Sequence, residues 1–401
     1  MRARTSSAAA AVTFALVAAG AASASGAAAG SATAAPGAST ATSGTHITWL
    51  AIGDSVSSGL GLSPVEDSPS SWGRDCYRAT TGVNVAWPVQ AARALSKDGV
   101  KVDQQVTACS GTVTDDWARE VAEAYQRAGV SVSTPTTDSG APVESSPLVR
   151  EIAGLAASGK RWNLLTLSFG ANNIDSGAFV EGCADIGISG GRDLDWGGPG
   201  WGGCDVTRET IQAQIDALVG RAPAKGMVNG TVPLVAAKTG DGNSGLMPLY
   251  DSLARFVEPG GVVLIVGYPQ LVESPERTVA SELWKIPEHL LASVGNCSGI
   301  SYSDIPTVRW AFSQLNAGIK EAVESADQNW APRGVRFRFV DTAQAVFESD
   351  RGRHALCSQD PWIGDTSQLS TGGAMHPNAR GHAALGQAVA HELSTLLRES
   401  R

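Results

Sequence analysis

Five short apolar runs punctuate the chain: Ile47 to Gly53, Val102 to Ala108, Leu164 to Phe169, Gly261 to Gly267 and Val335 to Asp341. Their length and their Val, Leu and Ile content predict strands buried on both faces. Between them lie stretches with apolar positions three or four apart, which predict helices at Pro88 to Ser96, Thr207 to Arg221, Val308 to Ala326 and Ala379 to Arg398. This alternation predicts an α/β fold, a three-layer α/β/α sandwich around a mostly parallel sheet. In such sheets ligands gather at the carboxyl ends of the strands, so the residues that follow each strand are the ones to read for chemistry.

Three stretches break the pattern. Ser131 to Ser146 is rich in Ser, Thr and Pro, Gly187 to Gly203 is glycine-rich and carries Trp196 and Trp201, and Gly226 to Gly245 is a third excursion. All three are expected to be surface loops, their aromatics packing over small satellite cores or, alternatively, lining a substrate cleft. No internal repeat is present.

The amino terminus changes the picture of compartment. Arg2 and Arg4, an apolar stretch from Ala8 to Ala19 and small residues at Ala22, Ser23 and Ala24 form an export signal, followed by a Gly/Ala/Ser/Thr-rich leader that lacks the apolar side chains of a core. The expected organisation is a signal and start of the leader at 1–35, a linker at 36–45 and one domain at 46–398. No later run reaches the roughly 20 apolar residues of a bilayer crossing. The expectation is a secreted monomer without a membrane span.

The formal charge is −9, and removing Arg2 and Arg4 takes it to −11, because the leader holds no acidic residue. With no basic cluster to neutralise phosphates, nucleic acid is excluded as a partner. The six cysteines, Cys76, Cys109, Cys183, Cys204, Cys297 and Cys357, are read as disulfides, since none has the short spacing of a zinc site. Six cysteines allow 15 connectivities; sequential pairing closes the shortest loops.

Candidate chemistry sits at strand ends. Gly53-Asp54-Ser55-Val56-Ser57-Ser58-Gly59 follows the first run and places Ser55 on a strand-to-helix turn, although a lone Gly-Asp-Ser is more often only a turn or helix cap. Ala108-Cys109-Ser110-Gly111 follows the second run and Gly170-Ala171-Asn172-Asn173 the third. The Gly111 amide and the Asn172 side chain are donors suited to an oxyanion. Near the carboxyl end stands Met375-His376-Pro377-Asn378-Ala379-Arg380-Gly381-His382. Pro377 keeps His376 out of the helical conformation, on an extended loop where its imidazole can act as a base. His382, in the opening turn of the last helix, reads as a capping or packing residue, and His46, His289, His354 and His391 have no comparable setting.

These four segments, in this order, resemble the SGNH (GDSL) hydrolase superfamily over roughly 47–397. The resemblance implies a flavodoxin-like sheet, Ser55 as nucleophile, His376 as base, and the Ser55 and Gly111 amides with Asn172 as oxyanion donors. It implies no metal or organic cofactor. The cysteine pattern is similar to that of secreted actinobacterial GDSL lipases and esterases, where sequential pairs are usual. Two positions depart from the family pattern. Asn173 stands where an acid is usual, and Gly373 stands where the acid that orients the histidine is usual. The carbonyl of Gly373 is therefore expected to accept the His376 Nδ1–H bond, making a Ser-His dyad, with Asp365 or Asp360 as alternatives.

The function expected from the resemblance is a secreted esterase or lipase acting on a small-molecule or lipid ester. Alternatives on the same site are a phospholipase or an O-acetyl esterase for an acylated polysaccharide. A non-enzymatic alternative is an extracellular carbohydrate-binding protein whose tryptophan-bearing loop stacks on sugars.

Overall fold

In the computed structural model the first apolar run becomes strand β1 (His46–Ala51), with Trp49, Leu50 and Ala51 fully buried. Each large apolar side chain so buried contributes about 1.5–3 kcal/mol. The residues described are 46–62, 76–114, 147–183, 207–221, 245–274, 296–297, 300–301, 304–348, 354–365, 368 and 373–399. They belong to one compact unit, Gly44–Arg401. The expected signal and linker, the loops at 131–146 and 187–203, all but the last residue of the 226–245 loop, and Cys204 lie outside the described residues.

The other strands are β2 (Lys101–Val106), β3 (Trp162–Leu167), β4 (Val257–Val266), a small antiparallel pair β5 (Asn296–Cys297) and β6 (Ile300–Ser301), and β7 (Arg336–Val340). The main sheet runs β2-β1-β3-β4-β7, with every pairing parallel. All five predicted strands are present. The central strands β1 and β3 are buried over most of their length, whereas β2, at the edge, alternates between exposed and half-buried positions. That difference follows from position, because an edge strand in an open sheet is partly uncovered.

The α-helices among the described residues are α1 (Ser55–Ser58), α2 (Trp87–Lys97), α3 (Pro147–Ala157), α4 (Ser176–Cys183), α5 (Arg208–Leu218), α6 (Leu246–Leu253), α7 (Ile305–Trp330) and α8 (Ala379–Glu399). Helix α2 packs against α8, and α7 against α5 and α6, so that helices cover both faces of the sheet. Prolines at the first turns start α2 and α7, where the missing N–H is not needed. Thr207 caps α5 by accepting from the Thr210 amide. None of the described helices is long and apolar enough to cross a membrane.

The strand order reverses on either side of β1. This is the switch point at which open parallel sheets leave a crevice beyond their carboxyl ends. Gly53, Gly111 and Gly170, each just past a strand, all adopt positive φ there.

Disulfides Cys76–Cys109 and Cys297–Cys357 are formed, in agreement with sequential pairing. Cys183 is also bridged.

Candidate active site

Ser55 is the first residue of α1, on the short turn that follows the end of β1 at Ala51. Gly53 has φ +132°, and a Cβ there would lie 2.5 Å from Ser57 Oγ and 2.9 Å from the Ser168 carbonyl oxygen. Only glycine allows the turn that presents Ser55. Asp54 caps the short helix by accepting the Val56 amide at 3.0 Å.

His376 Nε2 lies 2.9 Å from Ser55 Oγ. Its Nδ1 lies 2.8 Å from the carbonyl oxygen of Ala374. A carbonyl can only accept, so Nδ1 carries the hydrogen and Nε2 presents a lone pair to the serine hydroxyl. Burial pulls the imidazole pKa below its ordinary value and so favours the neutral ring, opposed by the bond to Ala374.

The acceptor differs from the expected one by a single residue. The Gly373 carbonyl accepts the backbone N–H of His376 at 3.3 Å, closing a turn, and is thereby turned away from the ring. Met375, at φ +61°, rotates the next carbonyl toward Nδ1. A left-handed non-glycine residue costs about 1–2 kcal/mol, and the surrounding backbone holds it there: Met375 donates to Gly364 at 2.8 Å, and Gly364 donates to the His376 carbonyl at 2.8 Å. Asp360 is not brought to the histidine either, because its carboxylate accepts from Arg380 at 2.5 Å and from the Trp362 indole at 3.1 Å. Asp365 is exposed on the same loop, and the imidazole Nδ1 is already engaged by the Ala374 carbonyl.

Gly111 has φ +77° on a loop tied to the Ser55 turn. Cys109 donates to the Gly53 carbonyl at 2.9 Å, and the Cys76–Cys109 bridge holds the same segment from the other side. Among the described residues neither the Ser55 nor the Gly111 amide has a hydrogen-bond partner. Asn172 donates one amide hydrogen to the Thr112 carbonyl at 2.9 Å, and its amide carries a second. Asn173 is fully buried and pairs both ways with Thr114, accepting its amide at 3.2 Å and donating to its hydroxyl at 2.9 Å. The Asn173 amide thus ties the Asn172 loop to the Gly111 loop without burying a charge.

Ser55, Gly111, Asn172 and His376 line one cavity of about 330 Å³. The rest of its wall is mainly apolar, with Leu60, Val180, Leu271, Phe312 and Met375 among the lining residues. His382 lies outside it. Fully buried, it accepts the Trp87 amide at 3.3 Å and donates to the Leu60 carbonyl at 3.4 Å, a packing role in accord with its place in the last helix.

Sequence reasoning missed three contributors: the Ala374 carbonyl, Gly61 and Tyr268. Gly61 was legible as part of the glycine-bearing segment that runs to Leu62, and Tyr268 follows the fourth strand directly, where a polar aromatic at a carboxyl end is itself a signal.

No family model matches the chain, and no curated protein matches it. Among solved structures, the chain is similar to a phospholipase A1 from Streptomyces albidoflavus NA297, at 18% identity and a TM-score of 0.46, over 86% of this chain and 98% of that one. It is similar to an extracellular lipase from Streptomyces rimosus at the same identity and TM-score, over 86% of this chain and 99% of that one. An acetylxylan esterase from Geobacillus stearothermophilus, solved as a catalytic mutant, is similar at 12% identity and a TM-score of 0.35, over 87% of this chain and 95% of that one.

Proposed function

We propose that this protein is a secreted serine esterase or lipase that hydrolyses carboxylic esters through an acyl-enzyme on Ser55. One observation carries the reading: Ser55 Oγ and His376 Nε2 stand 2.9 Å apart on the wall of a cavity that also holds the Gly111 and Asn172 donors.

The chemistry follows from the tautomer. Ser55 gives its proton to His376 Nε2 as Oγ bonds to the ester carbon, and the carbonyl electrons move onto oxygen. The Ser55 and Gly111 amides and the Asn172 side chain receive that oxyanion; a donor of this kind is worth about 10²–10³ in rate. The intermediate collapses, the carbon–oxygen bond to the alcohol breaks, and His376 returns the proton to the leaving oxygen. Water then repeats the cycle on the acyl-enzyme and releases the acid. The Ala374 carbonyl holds the ring through both proton transfers and faces the imidazolium with its negative end, which does part of the work of a triad carboxylate.

The apolar wall supports an aliphatic acyl chain in preference to an acetyl group, since each methylene buried there contributes about 0.8 kcal/mol. The disulfides Cys76–Cys109 and Cys297–Cys357 support an oxidising, extracellular setting, with residues 1–35 as the export signal and start of the leader.

The test is hydrolysis of p-nitrophenyl esters from acetate to laurate by the wild type and Ser55→Ala. The wild type is expected to rise in kcat/KM beyond acetate, and the variant to lose about 10⁴-fold or more. Activity surviving in Ser55→Ala overturns the assignment.

A further inference from the structure

Beneath Ser55, Asp54 and Tyr268 are joined by a hydrogen bond of 2.5 Å across 214 positions of sequence. The phenol of Tyr268 donates to Asp54 Oδ2, and its oxygen accepts the backbone N–H of Ala171 at 3.0 Å. The other carboxylate oxygen accepts the Val56 amide at 3.0 Å and the Ser168 hydroxyl at 3.1 Å. Asp54 thus caps the helix that carries Ser55, while Tyr268 reaches the residue next to Asn172.

Tyr268 is itself fixed. Its amide donates to Asn316 Oδ1 at 2.8 Å, and Asn316 Nδ2 donates to its carbonyl at 2.9 Å, so the side chain of α7 grips it on both sides. Asp54, Tyr268 and Asn316 are all buried. Buried backbone N–H groups need acceptors, and a tyrosine hydroxyl can accept from Ala171 with its lone pair while its own hydrogen goes elsewhere. Asp54 is that destination.

We infer that Tyr268 is a positioning residue of the proposed ester hydrolysis, locking the Asn172 oxyanion loop in register with the Ser55 helix through Asp54. The inference rests on the proposed function and deepens it. The hydroxyl does not act on the ester, because both of its hydrogen bonds are made to the protein. Its effect reaches the reacting atoms through Ala171, one residue from the oxyanion amide. Burial pushes the Asp54 carboxyl up to about 6, opposed by the bonds from Tyr268, Val56 and Ser168, so at neutral pH the acid is ionised and draws the phenol hydrogen toward itself. The direction of the chain is therefore set: amide to phenol, phenol to carboxylate.

The experiment is a double-mutant cycle of Tyr268→Phe and Asp54→Asn, assayed on p-nitrophenyl butyrate with the folded state checked by circular dichroism. Phenylalanine keeps the ring in place and removes only the hydroxyl. It is expected to lower kcat by about tenfold to a hundredfold while KM stays within about twofold, since the oxyanion donor shifts and the acyl cavity does not. In the Asp54→Asn background the same change is expected to cost markedly less, because both substitutions act through one chain of bonds. Should Tyr268→Phe not fold, Asp54→Asn alone carries the test, with the same split between kcat and KM expected. A Tyr268→Phe enzyme with wild-type kcat, a loss confined to KM, or full additivity in the cycle overturns the inference. A wild type inactive on every ester overturns the proposed function itself, so the two failures are distinguishable.

Discussion

His376 Nε2 stands 2.9 Å from Ser55 Oγ although 321 positions of sequence separate them. The histidine does not reach that place on a free loop. Its segment is strapped to the chain before it by hydrogen bonds between Gly364 and both Met375 and His376, and by one from Asn378 to the Trp362 carbonyl at 2.8 Å. On the other side Gly61 presses against it: a Cβ at that glycine would lie 2.6 Å from the Pro377 carbonyl oxygen and 3.1 Å from His376 Cβ.

Gly61→Ala is therefore expected to damage activity more than its chemistry suggests. The new methyl pushes on the histidine loop, and φ +98° is itself unfavourable for alanine. The expected outcome is a fall in kcat of about a hundredfold with a stability loss of about 1–3 kcal/mol, read by steady-state kinetics and urea titration. Wild-type kcat in this variant would show that the loop does not depend on that contact.

The identity of the group behind the imidazole is open to direct trial. Asp360→Asn and Asp365→Asn are expected to keep kcat within about threefold, because Nδ1 is already held by Ala374. A thousandfold loss in either would restore a carboxylate to the mechanism.

Acyl-chain preference is expected to follow the cavity. Gly177, on α4, lines it, and a Cβ at that glycine would meet no atom within 4 Å, so the side chain of Gly177→Phe can enter the space without clashing at its root. The variant is expected to lose about tenfold or more in kcat/KM on laurate while retaining activity on acetate. An unchanged chain-length profile would place the acyl chain elsewhere.

Two buried groups make opposite contributions to stability in acid. Burial pulls His382 from 6.5 to about 4, so the unfolded chain binds a proton that the folded chain refuses; that stabilisation is whole above pH 6.5 and is lost as pH falls toward 4. Burial pushes Asp54 from 3.8 to about 6, so its contribution is present below about pH 4 and is lost as pH rises through 6. Each is on the order of 3 kcal/mol, and between about pH 4 and 6 they offset one another. Asp54→Asn removes one side of this balance. Its urea midpoint is expected to fall more steeply than that of the wild type between about pH 6.5 and 4.5, and parallel curves would contradict the assignment.

Much of the scaffold was legible because it is written locally. The period of apolar residues marks all five strands of the sheet and the helices α2, α5, α7 and α8 to within a few residues, since burial on two faces or one stripe leaves a repeating pattern. Helix α3 bears the same pattern at Leu148, Ile152 and Leu155, but it directly follows a Ser/Thr/Pro-rich stretch that hides where the period begins. Helices α4 and α6 are eight residues each, with glycines in one and Pro248 in the other, too short and too interrupted for a period to show.

By itself, then, the sequence determined the α/β class, the strand ends, and Ser55 and His376 as the candidate reactive pair. These are carried by short runs of neighbouring residues. The six cysteines left 15 connectivities open in the sequence, and the structure forms Cys76–Cys109 and Cys297–Cys357. Only the tertiary structure decided that Ala374 rather than Gly373 faces the imidazole, because a single left-handed residue at Met375 selects which carbonyl points inward. Only it joined Asp54 to Tyr268, across a distance in sequence at which no local pattern carries information, because a buried donor takes whichever acceptor the packed core brings within reach.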